Sequence, residues 1–166
     1  MKHLSFFMCA LLFLYLTVIA QNEPTDAVFI KKAASRNLMQ IDLGILAQQK
    51  AVNPRLRDFG RMVERDYQNS NVSLMGVSVK LGMSPPSKML DEDRINLAGF
   101  RDSTSVNFDR EYIDYMLKLH NEDITRMKKV RNEVNSNDLK KWIDGTLSIL
   151  KEHVVFAENL KNKESK

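Results

Sequence analysis

Cysteine is nearly missing from this chain of 166 residues. The single one, Cys9, sits inside an N-terminal apolar run. Once that run is removed, there is no disulfide, no thiolate nucleophile and no cysteine ligand, so stability must come from packing. Glycine (6) and proline (4) are also scarce, and no alternating apolar and polar pattern lasts long enough for a strand. No Gly-x-Ser-x-Gly elbow and no glycine-rich phosphate loop occurs. No basic stripe interleaved with aromatics is present, which argues against nucleic acid. Neither charge sign dominates: 25 Lys and Arg face 21 Asp and Glu, and they alternate along the chain as on a solvated surface.

The start of the chain is informative. Lys2 and His3 precede an apolar run from Leu4 to Ala20, which ends in Val18-Ile19-Ala20 before polar Gln21-Asn22-Glu23-Pro24. This pattern predicts a secretory signal peptide, residues 1–20, cut after Ala20. Cys9 is not placed as a lipoprotein cysteine, because most of the apolar run follows it. Residues 21–166 suffice for one helical domain with a real core, about 26–161, and no transmembrane span is expected after cleavage.

Nearly everything after Pro24 has helical periodicity. A first helix starts at a Thr25 or Asp26 cap and runs to about Val52, with Ala27, Ile30, Ala34, Leu38, Ile41 and Ile45 on one stripe. A second stripe, Ala33, Gly44, Ala47 and Ala51, is small enough to let another helix come close. Asn53-Pro54 is a cap followed by a proline suited to the first helical position. The second helix stops at Gly82. A long connection, Met83 to about Thr104, contains a short helix over Asp91 to Phe100. A third long helix spans about Val106 to Val134, Asn135-Ser136-Asn137 is a turn, and a fourth spans Asp138 to about Lys161. Four long amphipathic helices with a long middle connection predict an all-α, ferritin-like four-helix bundle with a short extra helix.

Polar residues interrupt the buried stripes at mid-helix. His120 shares the stripe of Ile113, Met116, Ile124 and Met127, and His153 lies on the inward face of the last helix. Gln40 and Tyr67 occupy comparable levels in the first two helices. Two readings stay open. His120 and His153, helped by Asp66 or Asp123, have the chemistry to hold a divalent transition metal such as Zn, Cu, Ni or Fe. Alternatively Gln40, Tyr67, His120 and His153 form a polar layer that satisfies itself and fixes helix register. A carboxylate-bridged di-iron centre is argued against, because Leu117 and Leu150 stand where its Glu-x-x-His motifs need glutamate.

Three blocks carry a resemblance: FIKKAASRNLMQIDLGILAQQKAVNPRLRDFGRMVERDYQNSN, FDREYIDYMLKLHNED and DLKKWIDGTLSILKEHVVFAENL. In that order they resemble a bacterial secreted family, the domain of unknown function 4142, labelled as outer-membrane or periplasmic and taken to be ferritin-like. The resemblance covers roughly Ala27 to Leu160. It implies a histidine in each of the last three long helices, the first two preceded by aspartate, and an acid in the first helix. Here Asp66 is kept but Tyr67 replaces the first histidine. His120 is kept but Leu119 replaces its aspartate. His153 fits, and Gln40 stands at the acidic position, with Asp42 two residues on. The expectation is therefore a secreted, periplasmic or outer-membrane-associated bundle with no catalytic constellation and a reduced metal-type core. Metal binding and a role as an interaction module are the alternatives, with self-association left open.

Overall fold

The computed structural model describes residues 25–101 and 105–164. The expected signal peptide lies outside them. Five helices follow one another: α1 (Thr25–Lys50), α2 (Pro54–Lys80), α3 (Asp91–Arg101), α4 (Ser105–Glu133) and α5 (Asn137–Glu164). No strand occurs among the described residues. Each expected helix is present in order, with ends within a few residues of the expected ones.

The helix ends follow local chemistry. Asn53 caps α2, its side chain accepting from the backbone N–H of Arg55 at 2.9 Å, with Pro54 in the first turn. At the other end Gly82 adopts φ +67°, a conformation that disfavours any residue with a Cβ. It lets Met83 N–H reach the Ser78 carbonyl at 2.9 Å and Gly82 N–H reach Val79 at 3.0 Å, the paired bonds of a Schellman ending.

The helices pack in definite pairs. α1 lies along α2, and α4 along α5. α2 also packs on α5, α1 meets α4, and α3 rides on α1. These contacts correct the expected face of α1. Only Ile30 and Ala34 of the expected stripe are fully buried, while Ala27, Leu38, Ile41 and Ile45 are half-buried. Three neighbouring helices contact α1, so its burial wraps round to Phe29, Met39, Leu43 and Leu46 as well. The small stripe is buried as expected, and it is where α2 comes in.

That approach is very close. A Cβ placed on Gly44 would lie 2.7 Å from both the Glu64 nitrogen and the Gly60 carbonyl oxygen. A Cβ on Gly60 would lie 2.7 Å from the Gly44 oxygen. The obstructing atoms are backbone, so they cannot swing aside, and two glycines in facing helices let the chains touch.

Carboxylates from other helices secure the short turns. Asp109 of α4 accepts from Val52 N–H (3.0 Å) and Asn53 N–H (2.7 Å) in the α1–α2 turn. Asp26 of α1 accepts from Asn135 N–H (2.9 Å) and Ser136 N–H (3.1 Å) in the α4–α5 turn. Asp26 thus lies in the first turn of α1 and serves another turn's backbone. Ser35 and Arg36 tie α3 to α1: the Ser35 hydroxyl donates to Asp93 and accepts from Leu90 N–H (2.8 Å), and Arg36 pairs with Asp93 at 3.3 Å. On the outer side of α2, Val72, Met75 and Val79 leave a short apolar stripe exposed.

Glycine substitutions separate packing from propensity. Alanine in a helix interior normally gains about 0.5–1 kcal/mol over glycine. Gly145 has open space around it, so Gly145→Ala should stabilise by that amount. Gly44→Ala and Gly60→Ala should instead destabilise by about 1–3 kcal/mol through overpacking. Urea unfolding of the three variants checks both signs.

Candidate functional site

The polar residues at mid-helix come together unequally. His120 on α4 and His153 on α5 are both buried, and their rings meet edge to face, His120 Nε2 lying 3.1 Å from His153 Nδ1. His120 Nδ1 is 2.7 Å from the carbonyl oxygen of Met116, one turn back on α4. His153 Nε2 is 3.1 Å from an Asp66 carboxylate oxygen on α2. The Arg65 guanidinium holds the other Asp66 oxygen at 2.8–2.9 Å. The result is one line of hydrogen-bonding atoms across three helices, from the Met116 carbonyl to Asp66.

Proton counting along this line is decisive. It contains three contacts, and each needs one hydrogen. Two neutral imidazoles carry one N–H each, and an ionised carboxylate carries none. The Met116 carbonyl can only accept, so His120 must donate through Nδ1 and accept at Nε2. His153 must then donate through Nδ1. Its bare Nε2 is left facing Asp66, an acceptor facing an acceptor. A third hydrogen, and with it one positive charge, is therefore needed, either as a proton shared between His153 and Asp66 or replaced by a cation elsewhere on the line. If His153 donates to Asp66 instead, two lone pairs face each other at the His120–His153 contact.

Burial opposes charging the rings themselves. Desolvation, with the neighbouring His153 adding to it, pushes His120 down to about 3 despite its bond to the Met116 carbonyl. Desolvation also lowers His153, while Asp66 pulls the other way. Phe59 packs edge-on against His153 at 5.8 Å.

Tyr67 and Gln40 do not join the line, which corrects the expectation of a self-satisfying layer. The Tyr67 ring leans on both imidazoles, 6.3 Å from His120 and 5.9 Å from His153, but its hydroxyl has no hydrogen-bond partner among the described residues. Gln40 is fully buried, and both its amide atoms are unpaired among the described residues. Asp123 is placed elsewhere than the pair. It is buried against Arg126 and lines a cavity with Tyr67 and Arg36. Burial raises its carboxyl above the ordinary range, with Arg126 and Arg36 opposing.

The donors therefore fit only part of a metal set. Asp66 reaches His153 on the nitrogen opposite to His120, so the three groups form a row and do not converge. No group of three or more His, Cys, Asp or Glu side chains suited to an ion occurs among the described residues. His120 Nε2 and His153 Nδ1 do face each other. Their 3.1 Å separation is a few tenths of an ångström below the roughly 3.3–3.4 Å between two ligands at tetrahedral angles and ~2.0–2.1 Å bonds. The pair spans one edge of a bent or tetrahedral set, and a closed four-ligand site is not built.

Sequence reasoning missed Asn37, Arg36 and Arg126, which line the cavity beside Tyr67. A signal existed for Asn37: it is three residues before Gln40 and so on the same helical face.

Acid should probe the buried pair. An unfolded histidine takes up a proton near pH 6.5, whereas folded His120 stays neutral to about pH 3. Unfolding in that window binds a proton, so stability falls as pH drops from about 6.5 towards 3, by about 1.4 kcal/mol per pH unit for this one group. Urea titrations from pH 7 to pH 4 should show the slope, and His120→Gln should flatten it.

A family model described as Domain of unknown function (DUF4142) matches residues 17–160. Among solved structures, the chain is similar to "CopM in the Cu(I)-bound form", with a TM-score of 0.69 and 19% identity over 85% of this chain and 98% of that one. At that identity the likeness concerns the fold alone. No curated protein matches the sequence.

Proposed function

The chain belongs to the family of the domain of unknown function 4142, and from that premise we propose that it is a secreted, non-catalytic bundle with a reduced metal-type core, serving envelope maintenance or stress. Its architecture is the ferritin-like four-helix bundle. The helix pairs α1–α2, α2–α5, α5–α4 and α4–α1 support this by closing a ring, with α3 as the extra helix outside it. A single domain over residues 21–166, following a signal peptide, is part of the same reading.

One observation carries the proposal. The two histidines kept from the family pattern are hydrogen-bonded to each other and to Asp66 and Met116. That line is a register device for α2, α4 and α5 that needs only one extra proton.

A second reading has its own support. The facing His120 Nε2 and His153 Nδ1 would hold a transition ion in place of the missing positive charge, with Asp66 fixing the His153 ring from behind. The similar CopM structure, a Cu(I)-bound form, makes copper the first ion to try. Such an ion would supply two coordinate bonds where the line otherwise needs a proton. His120 and His153 would hold it, and Phe59 and Tyr67 would keep water from it.

Metal titration separates the two. Residues 21–166 without a histidine tag are titrated with Cu(I), zinc, nickel and iron, following melting temperature and native mass. The proposed reading predicts no stoichiometric metal and lower stability for both His120→Ala and His153→Ala. One equivalent of metal that raises the melting temperature, and is lost in both variants, would establish metal binding.

A further inference from the structure

Exposed large apolar side chains are few among the described residues, and half of them lie together. Val52, Ile95 and Val155 stand singly, as surface apolar residues commonly do. Val72, Met75 and Val79 share the outer face of α2 and are 73%, 43% and 72% exposed. Their spacing of three and four residues puts them on one helical stripe. Charge is missing around them. The chain is 28% charged, yet α2 carries no Asp, Glu, Lys or Arg between Asp66 and Lys80. The exposed neighbours of the stripe are Gln68, Asn69, Ser73 and Gly76. The outer face of a surface helix normally carries charge, so a contiguous uncharged and partly apolar face matches one that another surface covers.

The stripe is complementary to itself. Val72 and Val79 lie two turns apart, with Met75 and Gly76 midway between them. A second α2 laid antiparallel on the first, about a two-fold axis beside Met75 and Gly76, sets Val72 of each copy against Val79 of the other. The same axis brings Met75 to Met75 and Gly76 to Gly76. A Cβ on Gly76 would meet nothing within 4 Å, so the backbone there is open to close approach. Gly44 and Gly60 show inside this chain how facing glycines let two helices touch. No like charges are opposed. Lys80 is turned to Asp138 of α5 at 3.5 Å, and Asp66 to His153 and Arg65. The two helix dipoles run in opposite directions.

A two-fold contact requires such self-complementarity. We propose that the outer face of α2 is a self-association surface, on which two copies of this chain pair antiparallel through Val72, Met75, Gly76 and Val79. A lipid surface fits this face less well, because the stripe holds no aromatic residue and its flanks hold no Lys or Arg. From Gln68 to Val79 the face is about 18 Å long and about 10 Å wide. That is well short of the roughly 800 Å² per partner of a standard interface, so the dimer is weak, with a dissociation constant in the high micromolar range.

Sedimentation of residues 21–166, which contain all the described helices, reads the equilibrium from about 10 µM to about 1 mM, where so small an interface associates. A chelator is present throughout, so metal at the histidines does not enter the result. A monomer–dimer equilibrium is expected. Val72→Lys and Val79→Lys, both at exposed positions, should each weaken the dimer by about tenfold or more and leave helix content unchanged. Val72→Lys with Val79→Glu in one chain should recover part of the lost association, because the antiparallel pairing sets each new charge against its opposite on the other copy. Gly76→Ala should raise the unfolding midpoint at low protein concentration, as alanine does in a helix, and yet weaken the dimer. A residue with only a local role would not move association. A monomer at every concentration, or a dimer indifferent to both lysine variants, would overturn the proposal. So would a monomer that binds phosphatidylglycerol vesicles and loses that binding in Val72→Lys, which would make the face a membrane contact.

Discussion

The line of hydrogen bonds from the Met116 carbonyl through His120 and His153 to Asp66 holds the core to one arrangement. It joins three helices end to end through atoms that tolerate little displacement. Sliding α4 by one turn against α5 would leave two buried imidazoles unpaired, at a cost of about 1–3 kcal/mol for each polar group. The buried Phe59, Met116 and Leu150 are apolar and would accept many registers. The polar line selects one, as buried polar residues do in some other helical assemblies. It does so while carrying an unmet demand for one positive charge.

On the other side of the bundle a steric constraint does the same task. Among the described residues α1 is joined to α2 by no comparable row of hydrogen bonds, only by a side-chain bond from Gln48 to Glu64. It has instead the glycine contact, where backbone meets backbone at Gly44 and Gly60. A contact that close exists at only one register, because one turn away Gln48 meets Glu64 through a side-chain bond of 2.6 Å. Small size on one pair of helices and hydrogen bonding on the other thus produce the same kind of specificity. Asp26 and Asp109 then secure the two short turns by taking backbone N–H groups that have no helical partner.

The cavity beside Tyr67 follows from these constraints. With α1 drawn onto α2 by the glycines and α4 drawn onto α5 by the histidines, α1 and α4 meet less closely. The space between them is lined by what each helix carries there, including Asn37, Tyr67 and Asp123. Tyr67 and Asp123 stood out in the chain, but nothing local to either helix placed them beside Asn37 in one cavity.

Much was legible in the residues. Asn53-Pro54 and Gly82 mark the ends of α2 because capping and a left-handed terminal residue are local chemistry, settled within a few residues. The five helices and their order follow from apolar periodicity. His120, His153 and Asp66 stood out because ionisable groups on apolar stripes are costly and so conspicuous. The face of α1 was misjudged at Leu38 and Ile45, because periodicity records one buried side and cannot count three neighbours. The partner of each buried polar atom was equally out of reach. Whether His120 meets His153 or Tyr67, and whether Asp123 joins them or turns to Arg126, depends on angstrom-scale placement of helices far apart in sequence. Local propensity fixes where helices begin and end; only packing decides which of their polar atoms come within bonding distance.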